Sequence, residues 1–158
     1  MSERIPMTRT GYERLHDELK RLKVEERPAI VREIETARAH GDLSENAEYH
    51  AAKDRQGHVE ARIRYLEDKL ARAQVIEPSG QPVDKVRFGL TVDLEDADTG
   101  ERVTYTILGE DEADVANGTI SVRSPVARAL LGKQAGDSVT VEIPKGTREF
   151  QILEIRNQ

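Results

Sequence analysis

Between residues 45 and 74, mostly apolar positions are separated by alternating intervals of four and three residues. The positions that follow this spacing are Ala52, Gln56, Val59, Ile63, Leu66, Leu70 and Ala73. Spacing of this kind over three heptads is the a/d seam of a coiled coil. Because most of the other residues in the segment are charged, the pattern predicts one long helix with a single narrow apolar stripe.

A second helix is predicted upstream, and its apolar positions fall into two stretches. The first contains Tyr12, Leu15, Leu19 and Leu22, and the second contains Ile30, Ile34 and Ala37. The two stretches differ in helical phase near Pro28, and a proline inside a helix removes a backbone hydrogen bond. We therefore expect a kink or a stutter in this helix near Pro28.

Neither predicted helix can bury its stripe alone, and isolated helices are only marginally stable in water. The short bend at residues 40–50 joins them, so we expect the two helices to pair as an antiparallel hairpin. About 30 residues per arm, at a rise of roughly 1.5 Å per residue, give a rod on the order of 45 Å long. The bend then forms the tip of the rod.

After residue 76 the apolar period changes to two. Residues 77–82 contain two prolines and a glycine and have the composition of a linker. Strands are predicted on both sides of a turn at residues 98–100 and over residues 119–122, 138–143 and 149–155. A short helix is predicted over residues 126–131, with Ser124 as N-cap, Pro125 as its first residue and Gly132 after its end.

These elements predict an α+β protein. Residues 1–76 form an N-terminal antiparallel α-helical coiled-coil hairpin, residues 77–83 a linker, and residues 84–158 a small antiparallel β-sheet domain with one short helix. The chain has 158 residues of which only 4% are aromatic, a composition that suits two modest cores better than one large core.

Composition excludes several classes of protein. The chain contains no cysteine, so disulfides and thiolate metal sites are excluded and a reducing compartment is expected. No apolar run approaches the roughly 20 residues of a membrane span, and the N-terminal residues lack the apolar core of a signal peptide. We expect a cytoplasmic protein. A net charge of −6 argues against simple electrostatic attachment to bare nucleic acid.

The predicted sheet domain offers no catalytic constellation, because it contains neither histidine nor cysteine and no glycine-rich phosphate loop. Nine acidic residues lie between Asp93 and Asp114, and we expect them to form a solvated face. His40 and His50 flank the tip and, with the acidic residues between them, could hold a metal ion. Solvated polar residues are the favoured interpretation of this group, so no metal is expected to be bound stably by the free protein.

Two interpretations fit the acidic residues of the tip. In the first, Gly41 makes the turn, Asp42 is the N-cap of the following helix and Glu45 completes a capping box. Both negative charges would then also be stabilised by the positive end of the helix dipole, by about 0.3–1 kcal/mol each. In the second, a rigid rod delivers exposed carboxylates into an incomplete Mg²⁺ site of another protein.

Five sequence blocks occur in this chain in the order in which they occur in one known family. They are IPMT (residues 5–8), ARAHGDLSENAEYHAAKDRQG (37–57), AQVI (73–76), GEDEAD (109–114) and SPVARALLGK (124–133). With these blocks the chain closely resembles the GreA/GreB family of bacterial transcript-cleavage factors over essentially its whole length. A lone Asp-x-x-Glu would be a weak signal, whereas five blocks in order are specific.

The resemblance implies a function that is carried out on another enzyme. Members of the family bind RNA polymerase through a C-terminal domain of FKBP-like fold and insert the coiled-coil finger through the secondary channel. There the tip acids help to hold the second Mg²⁺ and orient the attacking water, so that the polymerase cleaves backtracked RNA near its 3′ end. The resemblance thus implies a protein that is not itself an enzyme, has no cofactor of its own and shares Mg²⁺ with the polymerase. We expect the free protein to be a monomer.

Carried over residue by residue, the resemblance assigns roles at three places. Asp42 and Glu45 match the two tip acids that assist catalysis. The residues that match the rest of the tip motif and give it its shape are Gly41, Leu43, Ser44, Asn46 and Tyr49. Arg38 and Lys53 match the basic patch that faces the RNA, although a lysine replaces a frequent arginine and bidentate phosphate contact is lost. Polymerase docking is assigned to Ser124, Pro125 and Arg128.

Each assignment has a structural alternative. Asn46 and Tyr49 could serve first-turn packing only, and Arg38 and Lys53 could be solvated flanks of the coiled coil. Two other functions also remain open at this point. One is a secondary-channel binder that inhibits the polymerase, and the other is a coiled-coil adaptor or chaperone with no polymerase role.

Overall fold

The computed structural model describes residues 3–42, 45–77 and 83–157. The chain divides into two compact units. The helical unit contains Tyr12–Ala73, and the sheet unit contains Arg4–Gly11 together with Gln74–Gln158. Most of the predicted linker, 77–83, lies outside the described residues, and the domain boundaries predicted at residues 76 and 84 stay predictions. In the described part of the chain, no helix is both long enough and apolar enough to span a membrane.

The helical unit contains the predicted hairpin. Its first arm consists of α1 (Arg9–Arg21), which begins in the sheet unit, a π-helical segment (Leu22–Glu26) and α2 (Arg27–Arg38). Its second arm is α3 (Ala47–Ala71). The arms are joined by ion pairs, among them a bidentate pair in which Arg27 donates to both carboxylate oxygens of Glu60 at 2.8 Å. Exposed pairs of this kind contribute little stability, so the apolar seam between the arms is what stabilises the hairpin.

The π-helical segment explains the phase shift near Pro28. The buried hydrophobic side chains of the first arm are Leu15, Leu22, Ile30 and Ala37, at intervals of seven, eight and seven. At the irregular interval, the backbone N–H of Arg27 bonds to the carbonyl oxygen of Leu22, five residues earlier. A π turn of this kind accommodates one additional residue within an α-helix. The expected stutter is therefore confirmed, and Pro28 lies just after it, in the first turn of α2.

The seam of α3 is confirmed except at its end. Ala52, Ile63 and Leu66 are buried, as predicted. The prediction that Ala73 belongs to the helix is wrong, because α3 ends at Ala71. Ala73 begins β2 (Ala73–Val75), which pairs with β1 (Ile5–Met7) in a two-stranded sheet. The strand prevails because it buries Ile5 and Met7, each only 2% exposed.

In the part of the sheet unit that the structure describes, five further strands form one sheet in the order β5-β4-β3-β7-β6. They are β3 (Thr91–Asp96), β4 (Arg102–Leu108), β5 (Thr119–Ser121), β6 (Ser138–Ile143) and β7 (Gly146–Arg156). The predicted α+β class and the predicted hairpins are confirmed. Pairing is antiparallel throughout this sheet except between β4 and β5, which are parallel.

The short helix α4 (Pro125–Leu130) packs on this sheet and completes its core. As predicted, Ser124 is its N-cap, and the Ser124 hydroxyl accepts the N–H of Ala127 at 3.2 Å. The fully buried members of the core are Val92, Leu94, Ile107, Ala127 and Leu130. The strand residues among them occupy the alternating positions that the period of two predicted.

The prediction that the acidic residues between Asp93 and Asp114 form a solvated face is wrong for Asp93 and Asp96. Asp96 is only 6% exposed, and Arg148 Nη1 donates to its Oδ2 atom at 2.9 Å. Asp93 accepts two hydrogen bonds from Arg156, each 3.1 Å long. These carboxylates belong to cross-strand ion pairs, because the register of the sheet brings β7 arginines beside them.

Candidate functional site: the tip of the hairpin

A tight turn at Gly41 begins the tip. The backbone N–H of Gly41 bonds to the carbonyl oxygen of Arg38 at 3.3 Å, and Gly41 has a φ of +110°. A residue with a Cβ rarely adopts such a φ, so glycine is required here. The prediction that Gly41 makes the turn is confirmed.

The interpretation in which Asp42 caps the second helix of the hairpin is wrong. Helix α3 begins at Ala47, and its N-cap is Asn46, with φ −87° and ψ 95°. The Asn46 Oδ1 atom accepts the N–H of Tyr49 at 3.1 Å. Asparagine caps a helix about as well as aspartate, so Asn46 removes the need for Asp42 at the helix start. Asp42 and Glu45 both precede α3.

Asn46 has a second contact, on the other arm of the hairpin. Its Nδ2 atom donates to the carbonyl oxygen of Ala37 at 2.6 Å. Ala37 is itself buried, at 3% exposure. One amide side chain therefore bonds to the end of α2 and also caps α3, which fixes both ends of the segment that carries Asp42 and Glu45.

The two tip carboxylates are solvent-exposed. Asp42 and Glu45 both present their side chains to water, and Leu43 and Ser44 lie outside the described residues. Carboxylate oxygens are the ligands that Mg²⁺ prefers, usually one or two from protein with water at the other positions. Within the described residues, no group of three or more His, Cys, Asp or Glu side chains is arranged to hold a metal. Two exposed carboxylates can supply some, but not all, of the ligands of such an ion.

The histidines of the tip contact other tip residues. His40 Nδ1 lies 3.8 Å from Glu48 Oε2, and both side chains are more than half exposed. The ring of His50 packs edge-on against Tyr49, with 5.5 Å between the ring centroids. Among the described residues these side chains do not form the metal site that the sequence left open.

Basic residues flank the tip on both arms. Arg38, the last residue of α2, and Lys53 in α3 are both exposed. Lys53 Nζ donates to Gln56 Oε1 at 3.0 Å. Farther from the tip, Arg55 pairs with Glu33 across a shallow groove that includes Ala29, Arg32 and Ala52. Cationic groups are therefore present on both arms next to the acidic tip.

Comparison with known proteins decides the family. The family profile described as "Transcription elongation factor, N-terminal" matches residues 5–75, and that described as "Transcription elongation factor, GreA/GreB, C-term" matches residues 81–157. The chain belongs to the GreA/GreB family. The resemblance stated from the sequence blocks is confirmed.

Individual relatives of the GreA/GreB family match nearly the whole chain. Transcription elongation factor GreA of Alkalilimnicola ehrlichii is 56% identical over 97% of this chain and 98% of its own. Transcription elongation factor GreA of Trichlorobacter lovleyi is 55% identical over 99% of each chain. Among solved structures, the GreA factor homolog 1 protein of Thermus thermophilus has 34% sequence identity to this chain. The match covers 98% of this chain and 100% of that chain, with a TM-score of 0.46.

The residues that the GreA/GreB resemblance assigned to docking lie together at the start of α4. Pro125 and Arg128 are exposed, whereas Ala127 and Leu130 on the opposite side are fully buried. Ser124 is half-buried because its hydroxyl caps the helix. The structure thus leaves Pro125 and Arg128 accessible, and their role in docking stays a prediction.

The structure also reveals a residue that sequence reasoning missed. Glu112, in the GEDEAD block of the GreA/GreB family, accepts the backbone N–H groups of Thr8 and Gly109, each at 3.0 Å, and the hydroxyl of Thr8. Thr8 is 104 positions away in sequence. No local pattern signals a pairing over this separation, so only the fold could identify it.

Proposed function

We propose that this member of the GreA/GreB family binds RNA polymerase, that its hairpin tip enters the secondary channel, and that Asp42 and Glu45 stimulate cleavage of backtracked RNA. One observation carries the proposal. The tip presents two exposed carboxylates that do not cap α3, because Asn46 is its N-cap. Capping of α3 therefore does not account for the acidic pair at the apex.

The chemistry assigned to the tip is positioning and ligation. Oxygen atoms of Asp42 and Glu45 would contribute ligands to a polymerase-bound Mg²⁺ and accept a hydrogen bond from the attacking water, which holds that water in line with the scissile phosphate. When bound, Mg²⁺ supplies Lewis-acid stabilisation of the charge that develops on phosphate oxygens. This chain would supply no cofactor of its own.

The rigidity of the hairpin supports this role. Buried residues of the seam, such as Ile30 and Leu66, and the Asn46 bond to Ala37 hold the two arms together up to the base of the tip. Catalytic groups contribute most when their positions are fixed before the reaction. A mobile loop with the same two acids would be a weaker activator.

Other parts of the chain would supply affinity. Arg38 and Lys53 would face the RNA 3′ end of a backtracked complex, where cations attract phosphates. Pro125 and Arg128 on α4 would contact the polymerase, and the cytoplasm is the proposed site of action. Members of the family are elongation factors, so the proposed catalytic centre belongs to the polymerase and not to this chain.

A direct test uses stalled, backtracked elongation complexes with Mg²⁺. Asp42→Asn and Glu45→Gln each remove one ligand charge with little change in shape, and both variants should bind polymerase normally. Each should lower the rate of RNA cleavage by about 10²-fold or more, the magnitude typical for loss of a positioned catalytic group. Asp54→Asn is the matched control, because Asp54 is an exposed carboxylate on α3 and the charge change is identical.

The possible results separate the remaining functions. Cleavage that is unchanged in both tip variants would refute the proposed role of the tip acids. Inhibition of cleavage by the wild-type chain would indicate a secondary-channel inhibitor. Failure of the wild-type chain to bind polymerase would favour the coiled-coil adaptor.

A further inference from the structure

The carboxylate of Glu112 joins two backbone segments of the sheet unit, residues 6–11 and 109–112. Its Oε2 atom accepts the N–H groups of Thr8 and Gly109, both at 3.0 Å. Its Oε1 atom accepts the hydroxyl of Thr8. Glu112 is half-buried, so these charge-assisted hydrogen bonds are partly protected from competing water.

Thr8 links this carboxylate to α1. Its Oγ1 atom accepts the N–H of Gly11 at 3.0 Å, which is the hydrogen bond of an N-cap to the first turn of a helix. The same hydroxyl donates its proton to Glu112. The cap of α1 is therefore held in place by a side chain 104 positions later in the sequence.

Two glycines make room for Glu112. A Cβ atom added to Gly11 would overlap the Glu112 carboxylate. A Cβ atom added to Gly109 would lie 2.6 Å from the carbonyl oxygen of Pro6 and 2.7 Å from Glu112 Oε2. At Gly109 the nearest atom is a backbone oxygen, so a side chain there would force the backbone to shift, whereas a Cβ at Gly11 would meet the Glu112 side chain and displace it.

We propose that Glu112 is a positioning residue for transcript cleavage, acting by fixing the first turn of α1. This inference rests on the function proposed above. Helix α1 begins at Arg9 and continues without a break of helical structure through the rest of the first arm, which leads to the tip. If the first turn of α1 is released, the start of the helix that leads to the tip frays, and fewer bound complexes have Asp42 and Glu45 in the reactive position.

The proposal is tested by titrating each variant against backtracked complexes and separating the maximal cleavage rate from the half-saturating concentration. Glu112→Ala removes the whole contact, and Thr8→Val removes only the hydroxyl in an isosteric side chain. Both should lower the maximal rate by about tenfold, because Glu112→Ala loses every hydrogen bond to the carboxylate and Thr8→Val loses the hydroxyl that bonds to Glu112 and caps α1. The half-saturating concentration should stay within about twofold, because docking groups are untouched.

Matched controls separate positioning from charge and from stability. Thr8→Ser keeps the hydroxyl and should preserve the maximal rate, and Glu142→Ala removes an exposed carboxylate of β6 with the same charge change. Gly11→Ala is the sharpest variant. Alanine favours helix more than glycine does, yet its Cβ should displace Glu112 and lower the maximal rate as Glu112→Ala does.

Hydrogen exchange supplies a readout that is independent of cleavage. The amide protons of Thr8, Gly11 and Gly109 should exchange faster in Glu112→Ala and in Gly11→Ala than in the wild-type protein. If Glu112→Ala fails to fold, Thr8→Val and Thr8→Ser decide the question, because they change a single hydroxyl or methyl group.

The outcomes distinguish this inference from the proposed function. If Asp42→Asn abolishes stimulation while Glu112→Ala, Thr8→Val and Gly11→Ala all retain the maximal rate, the inference is overturned and the proposed function stands. A higher half-saturating concentration with an unchanged maximal rate would assign Glu112 to docking and would also overturn it. Unchanged cleavage in Asp42→Asn would instead refute the proposed function.

Discussion

Asn46 bonds to Ala37 across the hairpin, with 2.6 Å between its Nδ2 atom and the Ala37 carbonyl oxygen. This hydrogen bond closes the tip, because Ala37 belongs to the last turns of α2 and Asn46 immediately precedes α3. The Oδ1 atom of the same side chain caps α3 through Tyr49. Closure of the tip and capping of the second arm therefore depend on one amide group, and the two roles can be separated by substitution.

Asn46→Asp should separate closure from capping. Aspartate caps helices as well as asparagine does, so the stability of α3 should be retained. A carboxylate cannot donate to the Ala37 carbonyl, so the tip should open and cleavage stimulation should fall by about tenfold. Stimulated cleavage in backtracked complexes, together with exchange of the Tyr49 amide proton, measures the two roles.

Asn46→Ala provides the comparison, because it removes both hydrogen bonds. Loss of the cap should cost about 0.5–2 kcal/mol of stability in addition to the loss of cleavage. Wild-type cleavage in Asn46→Asp would show that closure by Ala37 is unnecessary. A Tyr49 amide that exchanges equally slowly in Asn46→Ala would contradict the capping assignment.

The error in the predicted helix start shows what local sequence cannot decide. Asp42 and Asn46 are both good N-cap residues, and they lie four positions apart. Local preference does not distinguish them. In the structure the helix begins after Asn46, whose side chain also bonds to Ala37, nine positions away.

Where periodicity is long and regular, the sequence predicted the fold correctly. The structure confirms the apolar seams around Ile30 and Ile63 and the alternation in β3, which are local signals repeated several times. It also confirms the helix start at Ser124-Pro125. The pairing of β1 with β2 and the bond from Thr8 to Glu112 join residues far apart in sequence. Neither has a periodic signal, so neither could be predicted from one sequence.

Two carboxylates of β3 make the stability of the sheet unit depend on pH. The N–H of Asp98, with smaller contributions from Thr99 and Arg148, holds the pKa of Asp96 below its ordinary value of 3.8, although burial opposes this shift. Hydrogen bonds from Arg156, and then from the hydroxyl of Thr104, lower the pKa of Asp93. Both groups therefore bind fewer protons in the folded state than in the unfolded state near pH 3.8.

The resulting prediction concerns thermal unfolding between pH 6 and pH 2. Because the folded-state pKa values are lowered, the stabilisation by Asp93 and Asp96 is present above about pH 4 and is lost as the pH falls through those lowered values. Asp93→Asn and Asp96→Asn should each lower the unfolding temperature at pH 6 and flatten its decrease on acidification. Glu142→Gln, an exposed carboxylate on β6, should keep the wild-type profile. Equal acid sensitivity in all four proteins would contradict the assignment.

The π-helical segment leads to a prediction about chain deletion. Leu22 and Ile30 are eight residues apart, whereas Leu15 and Leu22, like Ile30 and Ala37, are seven apart. Removal of one residue from the segment would make every interval seven, and a continuous α-helix would then present all four residues to α3. Val24 lies in the segment and is 63% exposed, so its deletion removes little buried surface.

Deletion of Val24 should therefore leave a folded hairpin with helical circular dichroism and an unfolding temperature within a few degrees of the wild type. Deletion of Arg32 is the matched control, because Arg32 is also exposed but lies between Ile30 and Ala37. It shortens a regular interval to six and turns Ala37 by about 100° away from the seam. That protein should lose much of its thermal stability. If the two deletions destabilise the hairpin equally, the π-helical segment does not absorb an extra residue, and the phase shift needs another explanation.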